Sequence, residues 1–257
     1  MKNPMDKNIF SPVLAMGGKV GIYYKNLVTG DTFLHNADMP LQSASVIKLP
    51  ILVHAMKEVY SGRLNRDERY ILKDEDKLPS CGALNVLHAG CELTMQDLYT
   101  LMIILSDNSA TNLIIKKLGM DSINATLREL KLSACRLNRL LFDSKAASLG
   151  LENYVSAADM GKLLEGIYTS TLISKDASDE MLSILKNQRL KGKIPLGIPR
   201  GVKTANKTGE DDGITNDVGI VFAKQPFIIC FIANEVDAPS FDQALHTVCR
   251  QLYELNE

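Results

Sequence analysis

The chain has 257 residues, enough for one large domain or for two closely packed ones. Its hydrophobic content of 46%, charged content of 23% and formal net charge of −1 are ordinary for a globular protein and give no basic face for nucleic acid. No apolar stretch is long enough to cross a membrane. We therefore expect no nucleic-acid partner and no membrane segment.

The cysteines and the N-terminus bear on the cellular compartment. The five cysteines are an odd number without a Cys-x-x-Cys pair, which favours reduced, mostly buried thiols over a disulfide framework. Residues 1–12, MKNPMDKNIFSP, contain no apolar segment of the kind found in secretory signals. We expect a cytoplasmic protein if this chain is complete, and an exported protein whose signal has been removed if it is not.

The N-terminal region predicts a short helix followed by a hairpin. The helix is expected over residues 9–16. Lys19 to Tyr24 is rich in β-branched and aromatic residues, which predicts a strand. Thr29-Gly30-Asp31 is typical of a turn, and Thr32 to His35 is then the partner strand of the hairpin.

The middle of the chain carries helical signals. The predicted helices cover residues 45–60, 94–105, 109–118 and 160–169. Gly119 follows the third of these, in the position that favours glycine after a helix. Ser156 and Asp159 have the spacing of a capping box before the fourth.

The C-terminal region predicts strands and one last helix. Residues 218–223 and 227–234 are two apolar runs joined across Lys224-Gln225-Pro226, which indicates a hairpin. Ser240 is predicted to cap the last helix. The inner face of that helix is expected to carry Phe241, Leu245, Val248 and Leu252.

These elements predict a mixed α/β (α+β) architecture. An antiparallel sheet is built from both ends of the chain, residues 1–44 and 190–257, with the terminal helices on one face. An all-helical domain, residues 45–189, is inserted between the two halves.

A serine and a lysine lie one turn apart in the segment ASVIKLP. Because positions i and i+3 share a helix face, the amine of Lys48 can reach the hydroxyl of Ser45. Serine becomes a good nucleophile when a base takes its proton, and lysine acts as a base when burial or a nearby cation lowers its pKa. The alternative is a helix cap followed by a surface lysine. A second Ser-x-x-Lys, Ser183 to Lys186, is interpreted as a solvated helix face.

Two further motifs favour the catalytic interpretation. Ser106-Asp107-Asn108 lies between two predicted helices, and Lys207-Thr208-Gly209 lies on a predicted strand before a turn. Ser106 lies 61 residues after Ser45, and Lys207 lies 101 residues after Ser106. Separately, Ser106 could be a helix cap and the Thr208-Gly209 pair part of a hairpin. Together, the order Ser-x-x-Lys, Ser-Asp-Asn, Lys-Thr-Gly is the signature of class A β-lactamases and penicillin-binding proteins.

The chain therefore resembles the penicillin-recognising serine acyl-transferases, most closely their class A β-lactamase-like branch. The resemblance covers nearly the whole length and implies the β-lactamase/D,D-peptidase-like fold. It implies that Ser45 is the acylated nucleophile, that Lys48 is its base, and that Ser106 relays a proton to the leaving nitrogen. The oxyanion hole would be formed by the backbone N–H groups of Ser45 and Glu210.

The resemblance also implies how a substrate is held. Asn108 would bind the side-chain amide of the substrate. Lys207 and Thr208, followed by Gly209, would bind its carboxylate. The positive charge of Lys207 would in addition depress the pKa of Lys48.

The loop after the second motif departs from the class A pattern. Class A enzymes carry a glutamate there that activates the deacylating water. The corresponding stretch is CRLNRLLFDSKAASLGLENYVSAADM, and counting from Arg139 places Leu141 at the position of that glutamate. Asp143 lies two residues further on and could replace it only if the loop were rearranged; a loop-capping role is the alternative. We therefore expect acylation to survive and deacylation of a β-lactam adduct to be slow.

The segment after Lys-Thr-Gly is unusually acidic. Glu210-Asp211-Asp212 stands where small residues are common in β-lactamases. It is either a solvated turn or an acidic border of the cleft that crowds bulky substrates and favours a cationic group. The pairs Ala205-Asn206 and Asn216-Asp217 are interpreted as strand ends.

The leading hypothesis is thus a serine hydrolase that forms an acyl-enzyme with β-lactams or with a related peptide or ester. A D,D-peptidase acting on cell-wall peptides and a β-lactam sensor that is acylated once remain alternatives. The four histidines, His35, His54, His88 and His246, show no ligand spacing, so we expect no metal and no cofactor. We expect a monomer.

Overall fold

The structure, a computed structural model, describes residues 6–257; residues 1–5, the start of the N-terminal segment considered above, lie outside the described residues. The strands are β1 (Lys19–Asn26), β2 (Thr32–His35), β3 (Leu41–Gln42), β4 (Arg69–Ile71), β5 (Glu92–Thr94), β6 (Tyr154–Val155), β7 (Thr204–Asp211), β8 (Ile214–Val221) and β9 (Phe227–Asn234). The helices are α1 (Ser11–Leu14), α2 (Lys48–Tyr60), α3 (Met95–Ile104), α4 (Asn108–Leu118), α5 (Met120–Glu129), α6 (Ser144–Ser148), α7 (Ala157–Tyr168), α8 (Lys175–Lys186), α9 (Ile194–Gly197) and α10 (Ala238–Leu255).

The main sheet joins the two ends of the chain. Its five antiparallel strands lie in the order β2-β1-β9-β8-β7. The predicted hairpins are confirmed, since β1 pairs with β2 and β8 pairs with β9. Strand β7, which carries the Lys-Thr-Gly motif, is the outermost strand on its side. Its free edge therefore faces the helical part of the chain.

The sheet is covered on both faces. On one face the terminal helices α1 and α10 pack together on a core that includes Phe10, Phe231 and Phe241. On the other face lies α7, with the larger helical core behind it. Every residue of β8 and β9 is buried. This two-sided burial explains why these strands appear in the sequence as continuous apolar runs rather than alternating ones.

Helix α2 is the centre of the helical part. All residues from Lys48 to Met56 are buried, and α3, α4, α5 and α8 pack around them. The helix does not begin at Ser45 as predicted, because a 3₁₀ turn, Ala44–Ile47, precedes it. Side chains at i and i+3 eclipse one another in a 3₁₀ turn, which aligns Ser45 with Lys48 more closely than an α-helix would.

Two short ladders accompany the helices. Strand β3 pairs with β6 and β4 pairs with β5, so the region between the sheet segments also contains short strands. Within residues 6–257, no helix combines the length and apolar character needed to cross a bilayer. The division into domains 1–44 plus 190–257 and 45–189 stays a prediction.

Several predicted element ends were wrong. Helix α10 begins at Ala238, because the carboxylate of Asp237 accepts the backbone N–H of Ser240 at 3.1 Å and takes the capping role assigned to Ser240. The helix predicted over residues 9–16 is a 3₁₀ turn, Lys7–Phe10, followed by the short α1. Asn216 and Asp217 are not strand ends but are buried inside β8.

The predicted capping box before α7 is half formed. The Ser156 hydroxyl accepts the backbone N–H of Asp159 at 3.1 Å, as expected. The Asp159 carboxylate turns away and accepts the N–H groups of Ala134 at 2.8 Å and Cys135 at 3.1 Å. It thereby fixes residues 134–135, which lead into the loop 139–153.

Replacing Asp159 should destabilise the fold because it leaves two buried N–H groups without acceptors. Asp159→Ala is expected to lower the free energy of unfolding by about 3 kcal/mol. The exposed cap variant Asp237→Ala is the control, with a smaller expected loss. Urea unfolding of both variants measures the difference, and an equal loss in the two would contradict the role given to Asp159.

Candidate active site

The amine of Lys48 is the centre of the site. It lies 3.0 Å from the Ser45 hydroxyl, 3.0 Å from the Ser106 hydroxyl, 2.7 Å from the Ser106 carbonyl and 2.8 Å from Asn108 Oδ1. The carbonyl and the amide oxygen can only accept, so they take two N–H groups of Lys48. The remaining position on the nitrogen faces two hydroxyls. A neutral Lys48 can therefore accept the proton of Ser45.

The surroundings of Lys48 favour this neutral form. Its side chain is completely buried, and burial lowers its pKa well below the ordinary lysine value of 10.5. The positive charge of Lys207 lowers that pKa further, while Cys81 and Asp107 act in the opposite direction. Among the described residues, Lys48 has no carboxylate at ion-pair distance.

The turn between α3 and α4 presents Ser106. This residue has a φ of +52°, in the left-handed region that non-glycine residues seldom adopt. Asp107 holds the turn, because its carboxylate caps α4 at Ala110 N (2.9 Å) and also accepts the N–H groups of Ala83 (2.7 Å) and Leu84 (2.9 Å). The Ser106 hydroxyl is thereby kept between Lys48 and Lys207.

Strand β7 brings the second lysine. Lys207 Nζ lies 3.0 Å from Ser106 Oγ and donates to the carbonyl of Thr208 at 2.6 Å. Burial lowers the pKa of Lys207 to about 7, and the negative charge of Asp217 opposes that shift. Burial in turn raises the pKa of Asp217 to about 6. Asp217 accepts the N–H of Ile194 at 2.8 Å, which holds it behind the site.

Gly209 allows β7 to approach Ser45 closely. A Cβ atom at this position would lie 2.9 Å from the carbonyl oxygen of Ser43 and 2.9 Å from the amide nitrogen of Ser45. Any larger residue would push the strand away. Because β7 is an edge strand, some of its backbone groups point away from β8, and Glu210 lies there beside Ser45 in one cavity.

The cavity in front of these groups has a volume of about 330 Å³. Its wall is formed by the 3₁₀ turn that carries Ser45, the Ser-Asp-Asn turn, the end of β7 and the loop 139–153. The lining includes Ser45, Ser80, Cys81, Asn108, Arg139, Leu141, Phe142, Asp143, Glu152, Glu210 and Asp211. The predicted loop residues and the predicted nucleophile therefore share one cavity.

The loop 139–153 is closed by an ion pair between its two ends and is held in place by α4. The guanidinium of Arg139 pairs with Glu152 at 2.7 Å. Asn112 on α4 accepts the backbone N–H of Leu141 at 2.9 Å and donates to its carbonyl at 3.0 Å. Leu141 is thus fixed by its backbone at the cavity wall. Asp143 caps α6 by accepting the N–H of Ala146 at 2.9 Å.

The acidic segment after Gly209 divides between the cavity and the surface. Glu210 and Asp211 line the cavity that contains Ser45, whereas Asp212 does not. The carboxylate of Glu210 lies 3.6 Å from the amine of Lys193. The hydroxyl of Thr208 donates to the carbonyl of Asn216 at 3.2 Å.

The remaining sequence motifs lie outside the site. Ser183 and Lys186 are exposed on α8, as expected. His54 is buried in α2, and its ring contacts the hydroxyl of Thr126 at 2.9 Å. Among residues 6–257, no group of three or more metal-ligating side chains is brought together.

Two supporting residues were not identified from the sequence. Asn112 holds the loop, and Asp217 lies behind Lys207. Asp217 could have been identified from the sequence, because a carboxylate within an otherwise apolar strand needs hydrogen-bond or ion-pair partners. The signal for Asn112 was absent, since its partner Leu141 is 29 residues away in the chain.

Comparison with known proteins supports the predicted fold class. A family model described as "Beta-lactamase enzyme family" matches residues 7–255. Beta-lactamase 3 of Bacillus cereus is 25% identical over 84% of this chain and 69% of its own length. The β-lactamase of Sphaerobacter thermophilus has a similar structure, with a TM-score of 0.91, 28% identity and coverage of 98% of both chains.

A second solved structure is similar over nearly the whole chain. A leucine-to-glutamate variant of PBP-A, in an acyl-enzyme complex with penicillin G, matches with a TM-score of 0.87 and 27% identity. The match covers 96% of this chain and 94% of that one. Together these similarities confirm the predicted antiparallel sheet with flanking helices.

The charge behind Lys207 can be tested directly. Asp217→Asn removes the carboxylate that raises the pKa of Lys207, so this pKa should fall below about 7. The measurement is a pH titration of the lysine Cε signals by ¹³C NMR, with Lys207→Arg to assign the signal. Asp212→Asn, an exposed carboxylate outside the cavity, is the control. An unchanged or higher pKa in Asp217→Asn would contradict the assignment.

Proposed function

Because the chain belongs to the beta-lactamase enzyme family, we propose that it is a serine hydrolase whose Ser45 is acylated by β-lactams. The observation that carries the proposal is the contact of 3.0 Å between the buried amine of Lys48 and the hydroxyl of Ser45. A serine next to a neutral, buried amine has the base it needs to act as a nucleophile. Related peptides or esters are the other substrates that this chemistry would accept.

Acylation would proceed in two steps. Ser45 Oγ attacks the carbonyl carbon while its proton passes to Lys48 Nζ. The negative oxygen that forms is stabilised by the backbone N–H groups of Ser45 and Glu210. The C–N bond then breaks, and the proton reaches the leaving nitrogen through the Ser106 hydroxyl, which lies 3.0 Å from Lys48 Nζ. The product is an ester on Ser45.

The same cluster would orient the substrate. A protonated Lys207 supplies a buried positive charge for the substrate carboxylate. The Thr208 hydroxyl, which donates to the carbonyl of Asn216 at 3.2 Å, would turn to donate to that carboxylate. Asn108 uses its oxygen to accept from Lys48 and one N–H to donate to the carbonyl of Pro79 at 3.3 Å. Its second N–H remains for the substrate amide.

Deacylation would be slow because no free carboxylate stands at the loop. Leu141 has no proton acceptor in its side chain, Asp143 caps α6, and Glu152 pairs with Arg139. A well-placed general base accelerates such a step by about 10²–10⁴-fold. Its loss corresponds to roughly 3–5 kcal/mol of barrier. We therefore infer a penicillin-binding enzyme with little turnover.

The proposal is tested by mixing the protein with a fluorescent penicillin and with a chromogenic cephalosporin. The expected result is one stoichiometric burst with a stable label, and no label on Ser45→Ala. Sustained colour over many equivalents would instead show an efficient β-lactamase. No label and no colour, with cleavage of D-Ala-D-Ala peptides or simple esters, would show a hydrolase that does not recognise β-lactams. Persistent labelling of Ser45→Ala would contradict the nucleophile.

Leu141→Glu should shorten the lifetime of the acyl-enzyme. The new carboxylate would stand at the cavity wall on a backbone that Asn112 already fixes, so an increase in deacylation of about 10²-fold or more is expected. Leu141→Gln is the control, because glutamine matches glutamate in size and is polar, but its side chain cannot take a proton. Intact-mass spectrometry after one addition of penicillin G follows the adduct. Equal lifetimes in the two variants would show that the loop position has been misassigned.

A further inference from the structure

Asp211 lies on the face of β7 that carries the site. Side chains alternate along a strand, so Lys207, Gly209 and Asp211 point to the same side. The first reaches Ser106, and the second touches the backbone at Ser45. The carboxylate of Asp211 continues this row and lines the cavity that contains Ser45.

The order of Lys207, Gly209 and Asp211 along β7 determines which part of a substrate would lie near Asp211. In the proposed function the substrate carboxylate is held at Lys207 and Thr208, and the reacting carbonyl lies between the backbone N–H groups of Ser45 and Glu210. A strand rises by about 3.3 Å per residue, so Asp211 lies about 13 Å beyond Lys207 along β7. The acyl half of a substrate, on the far side of its carbonyl, therefore points toward Asp211.

The charge of Asp211 is not compensated by the described part of the protein. Glu152 is paired with Arg139 at 2.7 Å, and Glu210 has the amine of Lys193 at 3.6 Å. Asp211 only accepts the N–H of the next residue, at 2.9 Å, and residues 6–257 place no lysine, arginine or histidine within ion-pair distance of it.

The positive groups near the cavity are already engaged. Arg139 in the cavity wall pairs with Glu152, and Lys48 and Lys207 are fully buried around the Ser106 hydroxyl. Phe142 contributes an exposed apolar side chain to the opposite wall. The end of the cavity that receives the acyl group is thus bordered by a carboxylate that lacks a counter-charge.

We propose that Asp211 is a specificity residue that favours substrates with a positively charged group in the acyl half. The inference rests on the proposed acylation of Ser45 and names the substrate class of that same site. An ammonium group beside the reacting amide gains an ion pair with Asp211, whereas a carboxylate at that position is repelled.

Three penicillins with one nucleus and one phenyl ring provide the test. Penicillin G is neutral at the α-carbon of its side chain, ampicillin carries an amine there and carbenicillin carries a carboxylate. The second-order rate constant of acylation is measured for each at pH 6.5, where an α-amino group is mainly protonated. The proteins are the unaltered chain, Asp211→Asn and Asp212→Asn. The last variant changes the net charge equally at a residue outside the Ser45 cavity.

The ratio of the rate constants for ampicillin and carbenicillin is the readout. It should exceed one in the unaltered chain and in Asp212→Asn, and it should fall about fivefold in Asp211→Asn. The rate constant for penicillin G should change little. A ratio that is unaffected by Asp211→Asn, or equally reduced by both variants, overturns the inference while acylation itself stands. If penicillin G gives no adduct, the proposed function fails and this inference fails with it.

Discussion

The structure depends on the burial of two lysine amines around one serine hydroxyl. Lys48 and Lys207 are both fully buried, and both contact Ser106 Oγ at 3.0 Å. Two adjacent ammonium groups in a low-dielectric interior would cost several kcal/mol each, so one must give up its proton. Lys48 has four oxygen contacts and no ion pair, while Asp217 supports the charge of Lys207. In the proposed mechanism this arrangement lets Lys48 act as the base while Lys207 keeps its positive charge.

The rest of the fold keeps these amines in place. A 3₁₀ turn aligns Ser45 with Lys48 at the start of a helix that is buried for nine consecutive residues, Lys48 to Met56. The edge position of β7 and the missing side chain of Gly209 let the strand touch that turn. Both ends of the chain contribute to the sheet that supports β7. The proposed catalytic groups thus lie where the sheet edge meets the helical core, and the loop 139–153 lines the cavity in front of Ser45.

Much of this arrangement could be predicted from the sequence because the motifs are short and their order is distinctive. Ser45, Lys48, Ser106 and Lys207 were expected together, and the structure brings them into one hydrogen-bonded cluster. Contacts between distant residues could not be predicted, because Asn112 meets Leu141, and Ile194 meets Asp217, only after the chain has folded. Helix ends were misplaced where two capping residues compete, as with Asp237 and Ser240. The sequence showed that Leu141 stands where class A enzymes carry a glutamate. That Asp143 caps α6 became visible only in the structure.

The most direct test of the account is the protonation state of Lys48. A ¹³C NMR titration of the lysine Cε signals, with Lys48→Arg to assign the resonance, measures its pKa in the unaltered protein. The account predicts that Lys48 loses its proton well below the ordinary value of 10.5 and that Lys207→Met, which removes the neighbouring charge, raises this pKa. A Lys48 that titrates at or above 10.5, or that does not respond to the loss of Lys207, would contradict the central claim.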